Sequence, residues 1–458
     1  MMRSLFSGVT GLKTHQTKMD VIGNNIANVN TVGFKSSSVT FAELMYQTTQ
    51  NASGANAATG RAGVNAKQIG LGVANGAINT NITTSGASQT TGNPFDIQIT
   101  GDSFFIVSDG ANNYFTRAGA FYVDGVGNLA MTSNGFTVMG WQEDPMNPGY
   151  IRKDTVTALK ITSPENMTSE PEATTESYMT GIIDKNTKAL STPDGQVVNL
   201  SFYDNLGYSY VAKYAFTDED AVNGIYKLEL KDIIYEDNTG ATAHVTPLPS
   251  IDGTSGQSVY VAYDVANGKY LGWDTTPTST PSHDENDPFT MDFDQASLPA
   301  FEDVNVDLKT TTMFDNNGTS TIAAKAGNAD GQYAGRKVGT MSGVAVQTDG
   351  KIYASYDNGT TKLLGQIAVA SFPNPSGLEK IGENLYQTTM NSGLFDGIGI
   401  DVTSDGIGKM QTGVLEMSNV DLSAEFTEMI TTQRGFQANS RIITVSDSLL
   451  EELTNLKR

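Results

Sequence analysis

SNVDLSAEFTEMITTQRGFQANSRIITVSDSLLEELTNL (residues 418–456) and SLFSGVTGLKTHQTKMDVIGNNIANV (residues 4–29) carry apolar residues three and four positions apart. This spacing predicts one amphipathic helix at each end of the chain. The first stripe includes Leu5, Val9, Leu12, Met19, Ile22 and Ile26. The second includes Leu422, Phe426, Met429, Ile430, Phe436, Ile443, Leu449, Leu450, Leu453 and Leu456, close to a heptad seam. We predict that the two terminal helices form a coiled-coil-like pair.

The terminal helices are weak when taken alone. Gly8, Gly11 and Gly23 each cost a helix about 1 kcal/mol relative to alanine. Opposite net charges favour pairing of the two ends. Residues 1–35 contain four basic side chains and one acidic side chain, whereas residues 411–458 contain four basic side chains and seven acidic ones. We expect these helices to become ordered when several neighbouring chains surround them, which makes their apolar stripes candidate assembly residues.

The middle of the chain has a different pattern. It is rich in Gly, Thr, Ser, Asn and Asp on short alternating apolar runs, which is typical of strands and turns. The predicted fold class is therefore mixed and mainly β. It consists of discontinuous, nested β domains, barrel-like or sandwich-like, on a base formed by the two helices.

Domain boundaries follow from the changes in composition. SPENMTSEPEATTES (residues 163–177) is the clearest linker. The simplest nesting gives a terminal helical core domain (1–32 plus 416–458), an extended connecting arm (33–92), an inner β domain (93–163 plus 303–415) and an outer inserted β domain (164–302). A chain that returns in this way keeps both termini at one end.

The amino-acid composition excludes several classes of function. The 458 residues include no cysteine, which excludes disulfides and thiolate chemistry, and the net charge of −22 argues against a nucleic-acid partner. The three histidines, at 15, 244 and 283, do not have metal-ligand spacing, and we interpret them as solvated side chains. A carboxylate pair assembled by folding stays open at this level. We expect no cofactor, no metal and no enzyme activity.

No apolar run approaches the length of a membrane span, so membrane insertion is not expected. The apolar stretch after Arg3 is short and is interrupted by Gly8 and Gly11, which does not fit a secretory signal. If the protein works outside the cell, we expect export without a cleaved signal peptide.

The first helix is predicted to end within NNIANVNTVGFK (residues 24–35). Its asparagines compete with helical hydrogen bonds, and Gly33 can adopt a positive φ. For the last helix, Ser418 or Asn419 is the expected N-cap, and Asp421 suits a helix N-terminus.

These terminal motifs resemble those of the bacterial flagellar axial proteins, the rod and hook family. TGNPFDIQITGDSFFIV, FTRAGAFYVDGVGNLAMTSNGFTVMGW and LLGQIAVASFPNPSGLEKIGENLYQTT are similar to blocks of its hook members, in the expected order. Only about 164–302 is poorly matched. The N-terminal motif residues are Asn24, Asn25, Ile26, Ala27, Asn28, Thr31, Gly33, Phe34 and Lys35, and the C-terminal ones are Asn419, Asp421, Leu422, Gln433, Arg434 and Gln437.

The resemblance implies a structural subunit that self-assembles into a hollow, extracellular helical tube. Such a tube is a flexible universal joint between rod and filament in motility. Its implied partners are further copies of the chain, the rod, hook cap and hook–filament junction proteins, and the flagellar type III export apparatus. Length and the inserted domain favour the hook members. The alternatives are another axial protein, such as the distal rod, and an extracellular β-rich adhesin or enzyme.

Two departures from the family pattern bear on the resemblance. Ser103 stands where many relatives have glycine, and the absence of cysteine excludes the Cys-dependent cross-linking of some spirochaete hooks.

Overall fold

The computed structural model describes residues 2–54, 60–236, 241–252, 256–293, 300–404 and 408–455. The chain forms two compact units. Unit 1 comprises residues 1–166, 343–355 and 361–458, and unit 2 comprises residues 167–342 and 356–360.

Both long helices lie in unit 1. They are α1 (Met2–Ala27) and α2 (Leu422–Asn455), and they pack antiparallel. Near one end the hydroxyl oxygens of Ser4 and Ser446 are 3.5 Å apart, and at the other Asn25 Nδ2 donates to Glu425 Oε1 at 2.8 Å. The predicted fold class, a mainly β body with a helix at each end, is confirmed.

The remaining regular structure of the described residues is almost entirely β. Two 3₁₀ turns occur, at Lys188–Ser191 and Pro375–Gly377. The first strands are β1 (Ser37–Glu43), β2 (Tyr46–Gln50), β3 (Lys67–Gly70), β4 (Val73–Thr80), β5 (Ser88–Thr90), β6 (Ile97–Thr100), β7 (Phe104–Ser108), β8 (Asn113–Thr116), β9 (Phe121–Val123), β10 (Leu129–Met131), β11 (Thr137–Gln142) and β12 (Thr157–Ala158). The next are β13 (Thr168–Ser169), β14 (Glu176–Ile183), β15 (Gln196–Tyr203), β16 (Ser209–Asp220), β17 (Ile225–Glu236), β18 (Thr242–His244), β19 (Ser250–Ile251), β20 (Ser258–Tyr263), β21 (Tyr270–Asp274), β22 (Phe289–Asp292), β23 (Val304–Met313) and β24 (Ala323–Ala326). The last are β25 (Gly339–Val346), β26 (Lys351–Tyr356), β27 (Thr361–Ile367), β28 (Val369–Ala370), β29 (Glu379–Gly382), β30 (Leu385–Gln387), β31 (Lys409–Thr412) and β32 (Val414–Glu416).

Unit 1 combines strands from both halves of the chain. Its main sheet has the order β26-β27-β11-β7-β8-β30-β29. Two further pairs, β31 with β6 and β32 with β5, join the returning chain to its outgoing part. The core includes Phe104, Phe115 and Trp141. The indole nitrogen of Trp141 donates to the carbonyls of Asp154 and Ile398, so its polar end is satisfied although the ring is buried.

The predicted connecting arm contains two antiparallel ribbons, β1 with β4 and β2 with β3. The first ribbon packs on α1, since Thr10 Oγ1 accepts from the amide of Val73 at 3.4 Å and Asn75 Nδ2 donates to Thr17 Oγ1 at 3.2 Å. Side chains of the ribbons are largely exposed.

Unit 2 contains two sheets around one apolar core. One has the order β19-β22-β23-β14-β24, and the other has the order β15-β16-β17-β20-β21 with β18 beside β17. Their shared core includes Tyr214, Tyr263 and Trp273. The predicted outer domain ended at residue 302, but unit 2 continues to residue 342. The boundary moves because β23 pairs in parallel with β14, a contact between distant segments that alternating residues do not encode, and antiparallel with its sequence neighbour β22.

Candidate assembly interface of the terminal helices

Small residues allow α1 and α2 to approach closely. A Cβ built on Gly11 would lie 2.8 Å from Asn439 Nδ2, and one built on Gly435 would lie 2.7 Å from Cε1 of His15. Gly8 faces Ile443 and Asn439 in the same way. Glycine therefore removes the side-chain atoms that would keep the two helix backbones apart.

The seam between the helices has a regular heptad spacing, but large apolar residues do not dominate it. Contacting or buried residues include those at 4, 8, 11, 15, 18, 22 and 25 in α1, and at 425, 428, 432, 435, 439, 442 and 446 in α2. Most are Gly, Ser, Thr, Asn or charged. Thr14, which is also buried, and Ile443, which faces Gly8, lie next to these positions. The apolar pattern does not predict this seam, although the small residues also have the three-four spacing of a helix face.

Polar side chains connect the two helices near the end of α1 and the start of α2. Lys18 Nζ lies 2.7 Å from Glu428 Oε1, and both side chains keep solvent contact, so the pair contributes less than about 1 kcal/mol. Burial raises the pKa of Glu425, although the hydrogen bond from Asn25 opposes the shift. Asn25 is buried and also donates to the carbonyl of Ser37 at 2.8 Å, which ties α1 to the start of β1.

His15 was interpreted as a solvated side chain, and that interpretation is wrong. Its ring is half-buried, against Gly435 on one side and edge-on to Phe41 at 5.5 Å between centroids. Burial, and then the neighbouring charge of Lys18, lower the pKa of His15. The sequence could not indicate this, because Phe41 reaches the helix only through the fold of the β1–β4 ribbon.

The predicted apolar stripe lies mostly outside the seam. Ile22 is buried. Half-buried residues flank the seam at seven-residue intervals, and they are Leu5, Leu12, Met19 and Ile26 in α1, and Met429, Phe436, Ile443 and Leu450 in α2. The exposed ones are Val9, Leu422, Phe426, Ile430, Leu449 and Leu453. Leu456 lies outside the described residues. Phe426 and Ile430 keep 50% and 59% of their surface exposed, so this pair of helices presents an apolar face to solvent.

The family-motif residues next to the helices serve a different purpose, since they fasten the ends of α1 and α2 to the β body. Gly33 has a φ of +69°, and its amide donates to the carbonyl of Glu416 at 2.8 Å. A Cβ on Gly33 would lie 2.7 Å from the amide nitrogen of Ala118. Glycine is therefore required for both its backbone conformation and its close contact.

Asn419 holds three segments together. Its Oδ1 accepts from the amide of Ser36 at 2.7 Å, and its Nδ2 donates to the carbonyls of Asn81 and Thr84 at 2.9 and 3.1 Å. The prediction that Asn419 or Ser418 caps α2 is wrong. Asp421 is the cap, because its Oδ1 accepts from the amides of Ser423 and Ala424.

The other motif residues divide into two groups. At the end of α1, Asn28 donates to Asn24 Oδ1 at 3.0 Å and accepts from Thr31 Oγ1 at 3.1 Å, which closes the helix. Phe34 is buried beneath the ammonium of Lys380, 5.1 Å from the ring centroid. The remaining motif residues do not fasten the helices to the β body. They are exposed on the helices, and they are Ala27, Leu422, Gln433, Arg434 and Gln437.

Lys35 belongs to a group of three buried charged side chains, Lys35, Arg117 and Glu416, which we call the buried ion cluster. Lys35 Nζ lies 2.8 Å from Glu416 Oε1, and Arg117 Nη1 lies 3.8 Å from Glu416 Oε2. All three side chains are about 1% exposed or less. Burial lowers the pKa of both Lys35 and Arg117, and the Glu416 carboxylate acts in the opposite direction. Lys35 is predicted from the sequence as a motif residue, but its two partners are not, because they lie far from it along the chain.

The described residues form neither a membrane-spanning helix nor a cluster of metal ligands. Within the described ranges, no helix combines the length and the hydropathy that a membrane crossing requires. Nor do three or more His, Asp or Glu side chains gather into a potential metal site anywhere in the described part of the chain.

Comparisons with known proteins agree with this arrangement of helices and strands. Three family models match: "Flagella basal body rod protein" at residues 5–35, "Flagellar hook protein FlgE/F/G D1 domain" at residues 98–171, and "Flagellar basal body rod FlgEFG protein C-terminal" at residues 411–456. The models at the two chain ends cover the helices, and the middle model covers three neighbouring strands of the main sheet of unit 1, β7, β8 and β11.

Similar proteins match over the full length. The flagellar hook protein FlgE of Treponema pallidum is 33% identical, with all of both chains covered. That of Borreliella burgdorferi is 35% identical with the same coverage. The flagellar basal-body rod protein FlgG of Bacillus subtilis is 30% identical, again over all of both chains. On this evidence the chain belongs to the flagellar hook protein family, within the wider group of hook and rod proteins.

Proposed function

We propose that this protein is the structural subunit of a flagellar hook and that it polymerises through its terminal helices. The observation that carries the proposal is the exposed apolar face of the α1–α2 pair, which includes Phe426 and Ile430. Family membership supports the flagellar role, and the exposed face supports the mode of assembly.

The helix pair is already formed within one chain, so its outer face is available to neighbours. Full burial of a large apolar side chain stabilises by roughly 1.5–3 kcal/mol, and a half-exposed one can still gain about 1 kcal/mol. Six predicted stripe residues are exposed, of which Val9 is on α1 and the other five are on α2. When one patch binds a different patch on the next copy, the contact does not close on itself, and the product is a helical polymer.

We propose that the β units surround this helical wall as an outer layer, and that the tube serves as a flexible joint in motility. The protein then acts structurally and not as an enzyme. Its proposed partners are other copies of itself, the rod, hook cap and hook–filament junction proteins, and the flagellar type III export apparatus. We place it outside the cell, in the hook, after export without a cleaved signal peptide.

The test replaces Phe426 and Ile430 by serine in the full chain. Both side chains are about half exposed, so unfolding of the monomer should change little while polymerisation is lost or strongly slowed. Thr427→Ala is the matched control, because Thr427 is exposed on the same helix and its side chain bonds only within the helix, to the Ser423 carbonyl. Electron microscopy and sedimentation report the polymer. Normal tubes from the double variant would contradict the proposal.

A rod subunit is the second candidate, because the rod protein FlgG of Bacillus subtilis matches over its whole length. A strain lacking this gene distinguishes the two functions. Loss of the hook with an intact rod supports the hook function, whereas loss of the distal rod supports the alternative.

A further inference from the structure

The buried ion cluster joins three parts of the chain that are far apart in sequence. Lys35 follows α1, Arg117 follows β8, and Glu416 is the last residue of β32, shortly before α2. The cluster therefore lies where the chain leaves the helices and where it returns to them.

Two buried atoms of the cluster, Arg117 Nε and Glu416 Oε2, have no hydrogen-bond partner among the described residues, whereas its other charged atoms are hydrogen-bonded. Lys35 Nζ donates to the Thr84 carbonyl at 2.7 Å and to Glu416 Oε1, which also accepts from the amide of Gly86 at 3.0 Å. Arg117 donates to the carbonyls of Ile99, at 3.3 Å, and Gly101. Its guanidinium also lies over the ring of Phe104, 5.2 Å from the centroid.

The charges of the cluster are unequal, since two cations share one carboxylate. Asp102 also attracts both cations, but it is exposed to solvent and forms no ion pair with either. Glu416 is thus the one carboxylate within ion-pair distance of Lys35 and Arg117 among the described residues. Without it, two positive charges would remain in the interior, where like charges are poorly screened.

The same returning segment also supplies the backbone partners of residues 33–36. The Glu416 carbonyl accepts from the amide of Gly33, and Asn419 Oδ1 accepts from the amide of Ser36. Until residues 416–419 arrive, the amides of Gly33 and Ser36 lack these two acceptors, and Lys35 lacks the carboxylate that neutralises it.

We propose that the buried ion cluster makes the ordering of the α1 end conditional on the return of the C-terminal segment. An incomplete chain cannot bury Lys35 and Arg117 without their shared carboxylate, so it does not fix α1 on the β body. The helix pair then presents its apolar face only in a completed chain. This coupling depends on the packing of unit 1 and is independent of the proposed role in a hook.

The experiment uses three variants of the full chain, with hydrogen exchange measured segment by segment. Glu416→Gln leaves both cations unneutralised and should speed exchange in residues 33–36, α1 and β32 by an order of magnitude or more. Lys35→Met leaves an Arg117–Glu416 pair and should have a smaller effect. The double variant Lys35→Met/Glu416→Gln retains one unpaired cation, Arg117, and should exchange more slowly than Glu416→Gln alone.

Two controls make the outcome specific. Exchange in unit 2 should not change in any variant. Lys153→Met removes an exposed ion pair with Asp401 in the same unit, with 2.9 Å between the charged atoms, and should leave residues 33–36 unaffected.

Three results would overturn the proposal. They are an effect of Lys35→Met as large as that of Glu416→Gln, a double variant no slower in exchange than Glu416→Gln, and faster exchange spread equally over both units. If Glu416→Gln does not fold, the double variant becomes the test, and its failure to fold would also reject the proposal, because charge would then not be the cause.

Discussion

Gly11 of α1 lies so close to Asn439 of α2 that an added Cβ would come within 2.8–2.9 Å of the whole side-chain amide. This contact explains why α1 keeps a residue that weakens an isolated helix. The loss of intrinsic helix stability is compensated by a closer contact between the helices.

Gly11→Ala should lower the free energy of unfolding of the helix pair by about 1–2 kcal/mol, because the new methyl group displaces Asn439. The matched control is Gly23→Ala, since nothing lies within 4 Å of that position, and it should raise stability by up to about 1 kcal/mol. Urea unfolding followed by helical circular dichroism measures both. Adding Asn439→Ala to Gly11→Ala should recover part of the loss. Equal gains at Gly11 and Gly23 would contradict the close contact.

Asp421→Ala should destabilise α2 by about 1 kcal/mol, because the amides of Ser423 and Ala424 lose their acceptor. Asp421→Ser keeps an oxygen at the cap and should cost only a fraction of that. The midpoint of urea unfolding, read from the helical signal, distinguishes the variants. If alanine and serine behaved alike, Asp421 would not be the cap.

Glu425→Gln should remove a pH dependence of the helix pair. Because burial raises the pKa of Glu425, its folded form binds a proton more tightly than its unfolded form does. The stability that Glu425 contributes is therefore present at acid pH, and it is lost as pH rises through the pKa of Glu425 in the folded state. At about pH 7 the glutamine variant should be the more stable, and at about pH 4 the difference should shrink. Thermal unfolding at the two pH values checks this, with Thr427→Ala as the control.

Alkaline pH should unfold unit 2. Burial raises the pKa of Tyr226 to about 12, and it raises that of Tyr210 to about 12 together with Asp204. The pKa values of three further buried tyrosines are raised more strongly, and these are Tyr214, Tyr263 and Tyr270. Stability from these groups is complete below the ordinary tyrosine pKa near 10 and is lost as pH rises towards and beyond 12.

Tyrosinate absorbance and far-ultraviolet circular dichroism, recorded together during an alkaline titration, test this. Ionisation of the buried tyrosines should coincide with loss of β structure. Titration of all tyrosines near their ordinary pKa, with the fold intact, would show that burial does not hold them neutral.

The sequence was sufficient to predict the two helices, because apolar residues such as Ile22 recur at helical spacing over several turns. It was also sufficient for the β character of the middle. It did not predict the role of Gly8 and Gly11, because that role depends on Ile443 and Asn439, which lie more than 400 residues further along the chain. The same limit applies to Glu416 and to the pairing of β23 with β14, since both are interactions between distant segments, and local periodicity does not specify which segments meet.

The two tryptophans lie in different units, Trp141 in the core of unit 1 and Trp273 in that of unit 2. Each unit therefore contains its own intrinsic fluorophore. Trp273 stacks on His283 at 4.0 Å between ring centroids, whereas the Trp141 ring has no histidine stacked on it among the described residues. Replacing either tryptophan by phenylalanine gives a chain in which the unfolding of one unit can be followed optically without any added label.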